Sequence, residues 1–277
     1  MAKKNAIVCF DLDHTLLDNS KNEICASARE AVSRLRESSY IVIASGRDMD
    51  NYYSYMFRDI VEPDAVIHQN GTRISVRDDT LPYDARKGAE QYRTIYEHFM
   101  EPGLVKAIIG YAEANGLCIG TTLCGKDYFV NPELKTKADK SYNKFLKRRY
   151  VSADDLWKLP VRALSYAGRD GAERKAFLKA FPGVRLLSFS SGEGADLVEK
   201  CCSKASGLER LCAYYDVPRE HTYAFGDSEN DIDILEAAGT GIAVGNAMEE
   251  VKQAADLVTD DIWHDGIYKA CVKLGLF

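Results

Sequence analysis

Residues 7–17 read Ile-Val-Cys-Phe-Asp-Leu-Asp-His-Thr-Leu-Leu, an apolar strand pattern that stops at two carboxylates two positions apart, Asp11 and Asp13. Residues i and i+2 of a strand project to one face, so both acids can serve one site at the strand's carboxyl end. Two like charges so close repel. They become tolerable with a cation between them or a proton on one of them, and either outcome is chemistry. The alternative is a solvated turn in which Asp and Thr cap the next segment.

Three further segments carry residues of the same kind. A second apolar run ends in Ala44-Ser45-Gly46-Arg47, which offers a hydroxyl and a row of backbone amides suited to a phosphate oxygen, or else a plain helix cap. Cys202-Ser203-Lys204 opens an amphipathic helix running through Tyr215. A lysine in a first helical turn opposes the macrodipole; it either grips an anion or is an exposed surface lysine. The fourth segment, Phe225-Gly226-Asp227-Ser228-Glu229-Asn230-Asp231, turns a strand into a helix. Asp227 and Asp231 are four apart and can converge, although capping alone would also use one or two of these acids. Capping does not explain why all four segments occur at one predicted edge of one sheet.

The elements that must position them alternate between strand and helix. Strands are predicted at 7–10, 40–44 and 64–68 and again at 222–225, 240–244 and 256–258, with helices at 23–38, 230–238 and 248–255. Short apolar runs separated by helices imply a parallel sheet covered on both faces, which binds ligands outside the carboxyl ends of its strands. Between them lies a second α/β unit. Helices are expected at 86–100, 102–115, 135–149 and 171–181, and strands at 117–121, 127–130, 161–166 and 184–189. Turn-rich Leu81-Pro82-Tyr83 and Ser190–Gly194 suggest a discontinuous core of 1–82 and 190–277 around an insert of 83–189.

Composition sets the outer limits. The 277 residues are 46% hydrophobic and 28% charged, ordinary for a chain with a real core. A net charge of −6 argues against nucleic-acid or anionic-membrane partners, since only the short Lys144–Arg149 run concentrates base, and that run reads as a solvated helix face. The start of the chain shows no signal-peptide pattern and no apolar run approaches 18 residues, so a cytoplasmic protein with reduced thiols is expected. The eight cysteines show no C-x-x-C spacing, and adjacent Cys201 and Cys202, awkward for a disulfide or a zinc site, read as small filler.

With these residues in order, the chain resembles the haloacid dehalogenase-like (HAD) phosphohydrolases, and among them the Cof-type subgroup with a large α/β cap inserted after the third core strand. Asp11-Leu-Asp13-His14-Thr15 resembles the first motif, Ser45 the second, Lys204 the third, and Gly226-Asp227 with Asn230-Asp231 the fourth. Ile67–Ile74 is similar to the subgroup's Asn-Gly hairpin. One departure is His14, where glycine is common.

The resemblance implies a Rossmann-like parallel-sheet core with helices on both faces, plus the inserted cap. It implies a Mg²⁺-dependent phosphatase acting on a small phosphorylated metabolite such as a sugar phosphate. Asp11 would be the nucleophile and Asp13 the acid/base. Mg²⁺ would take the Asp11 and Asp227 carboxylates and the Asp13 backbone carbonyl, while Ser45, Gly46, Lys204 and Asn230 would hold phosphoryl oxygens and Asp231 would orient Lys204 from behind. Repulsion from Asp11 would help keep Asp13 protonated. The competing expectations are a phosphosugar mutase with the same chemistry and a non-catalytic phospho-ligand binder. The specificity residues of the cap and the oligomeric state have no sequence signal.

Overall fold

A computed structural model describes residues 4–50, 54–78, 80–134, 150–168, 171–189 and 194–277. The first stretch of chain runs β1 (Ala6–Phe10), a short hairpin of β2 (Leu17–Asp18) and β3 (Glu23–Ile24), α1 (Ala26–Leu35), β4 (Ser39–Ala44), α2 (Tyr55–Val61), β5 (Ala65–His68), β6 (Arg73–Arg77) and β7 (Tyr92–Glu97). Next come α3 (Pro102–Ala114), β8 (Cys118–Leu123), β9 (Lys126–Phe129), β10 (Tyr150–Val151), β11 (Leu164–Ala167), α4 (Ala172–Ala180), β12 (Val184–Ser188) and β13 (Gly194–Glu199). The last stretch holds α5 (Lys204–Tyr215), β14 (Thr222–Gly226), α6 (Ile232–Ala237), β15 (Thr240–Ala243), α7 (Glu249–Ala254), β16 (Leu257–Val258) and α8 (Gly266–Lys273).

Two compact units result: residues 1–97 with 202–277, and residues 98–201. The first is built on an eight-stranded sheet in the order β16-β15-β14-β1-β4-β5-β6-β7. From β16 to β5 neighbouring strands are parallel, and β6 and β7 add antiparallel. Every residue of β4 and β5 is buried, because helices cover both faces of a parallel sheet and leave no face for polar side chains. These strands and their helices form one continuous apolar core.

The second unit has its own sheet, β10-β9-β8-β11-β13-β12, and its own core. Its strands are antiparallel except for the β9–β10 pair, and β9 and β11 alternate buried with more exposed positions, the pattern of a sheet covered on one face. Lys126 is exposed, Asp127 accepts from Thr122 Oγ1 at 2.7 Å, and Asn131 donates to the Leu117 carbonyl at 2.9 Å.

The junctions fall at 97/98 and 201/202, not at 82/83 and 189/190. The predicted helix over 86–100 is instead a 3-10 segment followed by β7, whose Tyr92-Arg-Thr-Ile-Tyr-Glu pairs back onto β6 from Tyr92↔Arg77 to Glu97↔Arg73. At the other junction β13 pairs with β11 and β12 and belongs to the second sheet. The helix expected from residue 23 begins at Ala26, since residues 23–24 pair with 17–18. The expected helix 135–149, with its basic run, lies outside the described residues. The C-terminal α8, which no sequence signal announced, buries Ile267, Ala270 and Cys271. No disulfide forms among the eight cysteines, and among the described residues no helix is long and apolar enough to cross a membrane.

Candidate active site

Strand β1 is the topological switch: the chain leaves it toward β4 on one side and returns beside it as β14 on the other. In open parallel sheets ligands bind at such a point, outside the carboxyl ends of the strands. Asp11 follows β1, Ser45 follows β4 and Asp227 follows β14, so the sheet itself brings three of the four segments together. The Asp11 amide donates to the Phe225 carbonyl at 3.0 Å, which ties the end of β1 to the end of β14.

Lys204 supplies the fourth. It is the first residue of α5, whose start is capped by Ser203 and Ser206 in reciprocal bonds of 2.8 and 3.1 Å, with no acid in the first turn. The side chain is fully buried, so it is not a surface lysine. Its Nζ donates to Asp11 Oδ1 and to Asp231 Oδ1, both at 2.6 Å. The other Asp231 oxygen accepts from the Asp227 and Ser228 amides, each at 3.1 Å. Asp231 therefore both caps its own turn and aims the lysine at Asp11.

Asp227 is held in turn by hydroxyls. Thr15 Oγ1 donates to one of its oxygens at 2.8 Å and Ser228 Oγ to the other at 2.7 Å. Gly226 makes room for this turn, since a Cβ there would lie 2.4 Å from that of Asp231.

Carboxylate oxygens of Asp11, Asp227 and Asp231 lie within 4.8 Å of one another, all buried. Three acids face one lysine, and the excess negative charge has a visible consequence. Burial pushes Asp227 up to about 6, with the Asp231 carboxylate adding to the rise and Ser228, Thr15 and Lys204 opposing it. Burial also holds Asp11 well above the usual carboxylate range; Lys204 works against this, and Asp231, Asp227 and Asp13 work with it. Burial disfavours the Lys204 charge, yet Asp11 and Asp231 outweigh it and hold the ammonium protonated. A buried, oxygen-only donor set with negative charge in excess fits a hard divalent cation.

The Asp13 side chain is engaged by a partner to which the sequence reading gave no role. Arg47 Nε donates to its Oδ2 at 2.7 Å and Arg47 Nη2 to its Oδ1 at 2.5 Å, a bidentate pair, while Asn19 Nδ2 adds a third bond of 2.7 Å. Burial alone would raise this carboxyl, but the Arg47 bonds and charge overcome it and hold Asp13 below its ordinary value. The expectation that repulsion keeps Asp13 protonated is therefore corrected: in this arrangement it is a carboxylate. His14 beside it has φ +59°, the left-handed region, which is why glycine suits this position; its amide donates to Asn19 Oδ1 at 3.0 Å and its carbonyl accepts from Asn246 at 2.7 Å.

The remaining expected residues are close by but differently engaged. Ser45 is buried, its Oγ accepts the Arg47 amide at 3.1 Å, and its hydrogen remains for another acceptor. Gly46 continues the same turn. The Asn230 amide donates to Asn70 Oδ1 at 3.0 Å, so the fourth motif is latched to the turn between β5 and β6. In that turn the Asn70 amide donates to the Ser45 carbonyl at 3.0 Å. Arg47, Thr15, Ser228 and Asn70 received no role from the sequence, although each stands within the quoted motifs.

Comparison with known proteins gives consistent results. A family model described as haloacid dehalogenase-like hydrolase matches residues 8–271. YkrA of Bacillus subtilis (strain 168) is 29% identical over 98% of both chains. The 5-amino-6-(5-phospho-D-ribitylamino)uracil phosphatase YitU of the same organism is 26% identical, with 96% of each chain covered. Among solved structures, that of the HAD subclass IIB sugar phosphatase BT4131 aligns with a TM-score of 0.83 at 25% identity, covering 98% of this chain and 100% of that one.

Proposed function

This chain belongs to the haloacid dehalogenase-like hydrolases, and from that premise we propose that it is a phosphatase releasing phosphate from a small sugar phosphate or related metabolite through an aspartyl-phosphate on Asp11. The observation that carries the reading is the buried group of Asp11, Asp227 and Asp231 on a single lysine, an arrangement that costs stability unless it serves a charged ligand.

Asp11 Oδ1 is held by Lys204, which leaves the second oxygen as the attacking atom. Lys204, the Ser45 hydroxyl and the Gly46 backbone would bind phosphoryl oxygens, because phosphoryl transfer depends on positioning and charge neutralisation. Asn230, once it gives up Asn70, would join them. The Asp11 and Asp227 carboxylates with the Asp13 carbonyl would hold Mg²⁺. When bound, that ion would neutralise charge on the phosphoryl group and on the acids around it. Asp13 is in the form that takes a proton from the hydrolytic water; to give one to the leaving alkoxide it must first leave Arg47 and become protonated.

The test is a phosphate-release screen over sugar phosphates, nucleotides and phosphorylated cofactors with Mg²⁺ present, with product analysis to separate free phosphate from an isomerised sugar. Asp11→Asn is expected to abolish turnover with the circular-dichroism spectrum unchanged. Wild-type turnover in that variant would remove Asp11 as nucleophile.

A further inference from the structure

The hairpin that follows the first motif reaches back to it. Strands β2 and β3 pair Leu17 with Ile24 and Asp18 with Glu23, which leaves a tight loop over residues 19–22. Asp18 shapes that loop: its Oδ1 accepts from the Ser20 amide at 2.9 Å and from Ser20 Oγ at 2.6 Å, a turn closed by an aspartate side chain. Asn19 is exposed at the start of the loop, yet its amide group lies against Asp13 and His14.

Both ends of that amide are engaged. Nδ2 donates to Asp13 Oδ1 at 2.7 Å, and Oδ1 accepts the His14 N–H at 3.0 Å, a donor shared with the Leu17 carbonyl at 2.9 Å. The peptide joining Asp13 to His14 is trans, so its carbonyl points away from its N–H, and holding the one orients the other.

We propose that Asn19 is a positioning residue of the hydrolytic site, whose one side chain sets the Asp13 carboxylate and the Asp13 backbone carbonyl in fixed relation. This rests on the reading above, in which the carboxylate moves protons and the carbonyl takes Mg²⁺.

Asn19 and Arg47 hold Asp13 differently. Arg47 grips both carboxylate oxygens and must let go before the carboxyl can reach a leaving group. Asn19 bonds Oδ1 alone, so it stays in place while Oδ2 is free and keeps the carboxyl aimed through the exchange. The turn needs such contacts. His14 at φ +59° carries strain that only its surroundings sustain, and its other side is pinned by Asn246, which donates to the His14 carbonyl at 2.7 Å and accepts the Ile262 amide at 3.1 Å. Sequence spacing hid Asn19, because turns select asparagine for their own reasons.

The test compares Asn19→Ala, Asn19→Asp and, as a control in the same loop, Lys21→Ala, whose ion pair is with Asp18. Phosphate release is followed at saturating Mg²⁺, and Mn²⁺ affinity without substrate is read from the paramagnetic resonance signal of the free ion. Asn19→Ala should lower kcat by about tenfold at unchanged KM and weaken Mn²⁺ by about two- to tenfold, the range of one hydrogen bond, with an unchanged melting temperature. Asn19→Asp keeps the acceptor for His14 but sets a charge against Asp13. Its kcat should fall further while Mn²⁺ binds at least as tightly as in the wild type, a split that general loosening of the loop would not produce. Lys21→Ala should match the wild type. Wild-type kcat and Mn²⁺ affinity in Asn19→Ala would overturn the proposal, as would an equal loss in Lys21→Ala, which would make the hairpin and not Asn19 the cause. A wild type that binds Mn²⁺ but releases phosphate from no ester would overturn the phosphatase reading, and the role of Asn19 in it.

Discussion

Arg47 fixes both oxygens of Asp13, and this contact decides the charge of the residue read as the acid/base. Without the guanidinium, burial is opposed mainly by the Asn19 bond, a smaller contribution than that of Arg47, and the Asp13 carboxyl rises. If ionised Asp13 activates the hydrolytic water, Arg47→Ala should move the acidic limb of kcat upward by about one pH unit or more and lower kcat by about tenfold, measured at saturating Mg²⁺. A limb that does not move would mean that Asp13 is not the group titrating in turnover. Residues such as Asp11, Asp227 and Lys204 were legible because each stands at the end of an apolar run or the start of a helix, where local pattern fixes position. The Arg47–Asp13 pair was not. It depends on β1 and β4 lying side by side with Phe10 opposite Ile43, a register that neither segment encodes alone.

At the scale of elements, the position of Lys204 is set by how closely α5 approaches the turn between β5 and β6. Gly71 has φ +90°, and a Cβ there would lie 2.0 Å from the Ser203 carbonyl oxygen, so the backbone that caps α5 rests directly on this glycine. Gly71→Ala should therefore strain the turn and lift the start of α5. The expected cost is at least about 2 kcal/mol, read from urea unfolding, with a larger fall in kcat than in substrate affinity because Lys204 and Asn70 shift together. An unperturbed Gly71→Ala would show that the approach of α5 does not position the lysine. The parallel strands were readable because burial on both faces leaves continuous apolar runs. Strand β7 was misread as a helix for the opposite reason: Tyr92-Arg-Thr-Ile-Tyr-Glu is half-buried, lies at the sheet edge, and takes its order from pairing with β6.

For the molecule as a whole, the buried acids couple stability to pH and, through the proposed Mg²⁺ site, to metal. Asp227 stands at about 6 in the folded chain. Its unfolded value is about 3.9, so between those two pH values the folded state keeps a proton that the unfolded state has released. Stability of the metal-free protein should then fall as pH rises from about 4 to about 6, by on the order of 3 kcal/mol from this group. Burial raises Asp11 as well, which acts in the same direction. Mg²⁺ bound as proposed at the ionised acids would reverse the trend; at a hundred times its Kd it would return about 2.7 kcal/mol. The two tryptophans lie in different units, Trp157 in one and Trp263 in the other, so Trp263 fluorescence in a Trp157→Phe background follows the eight-stranded unit alone. In that background the melting-temperature increment from Mg²⁺ should be small at pH 5 and several degrees at pH 7.5. Asp227→Asn should flatten the pH dependence and remove most of the increment. Equal increments at both pH values in the parent would show that the metal does not draw on these carboxylates.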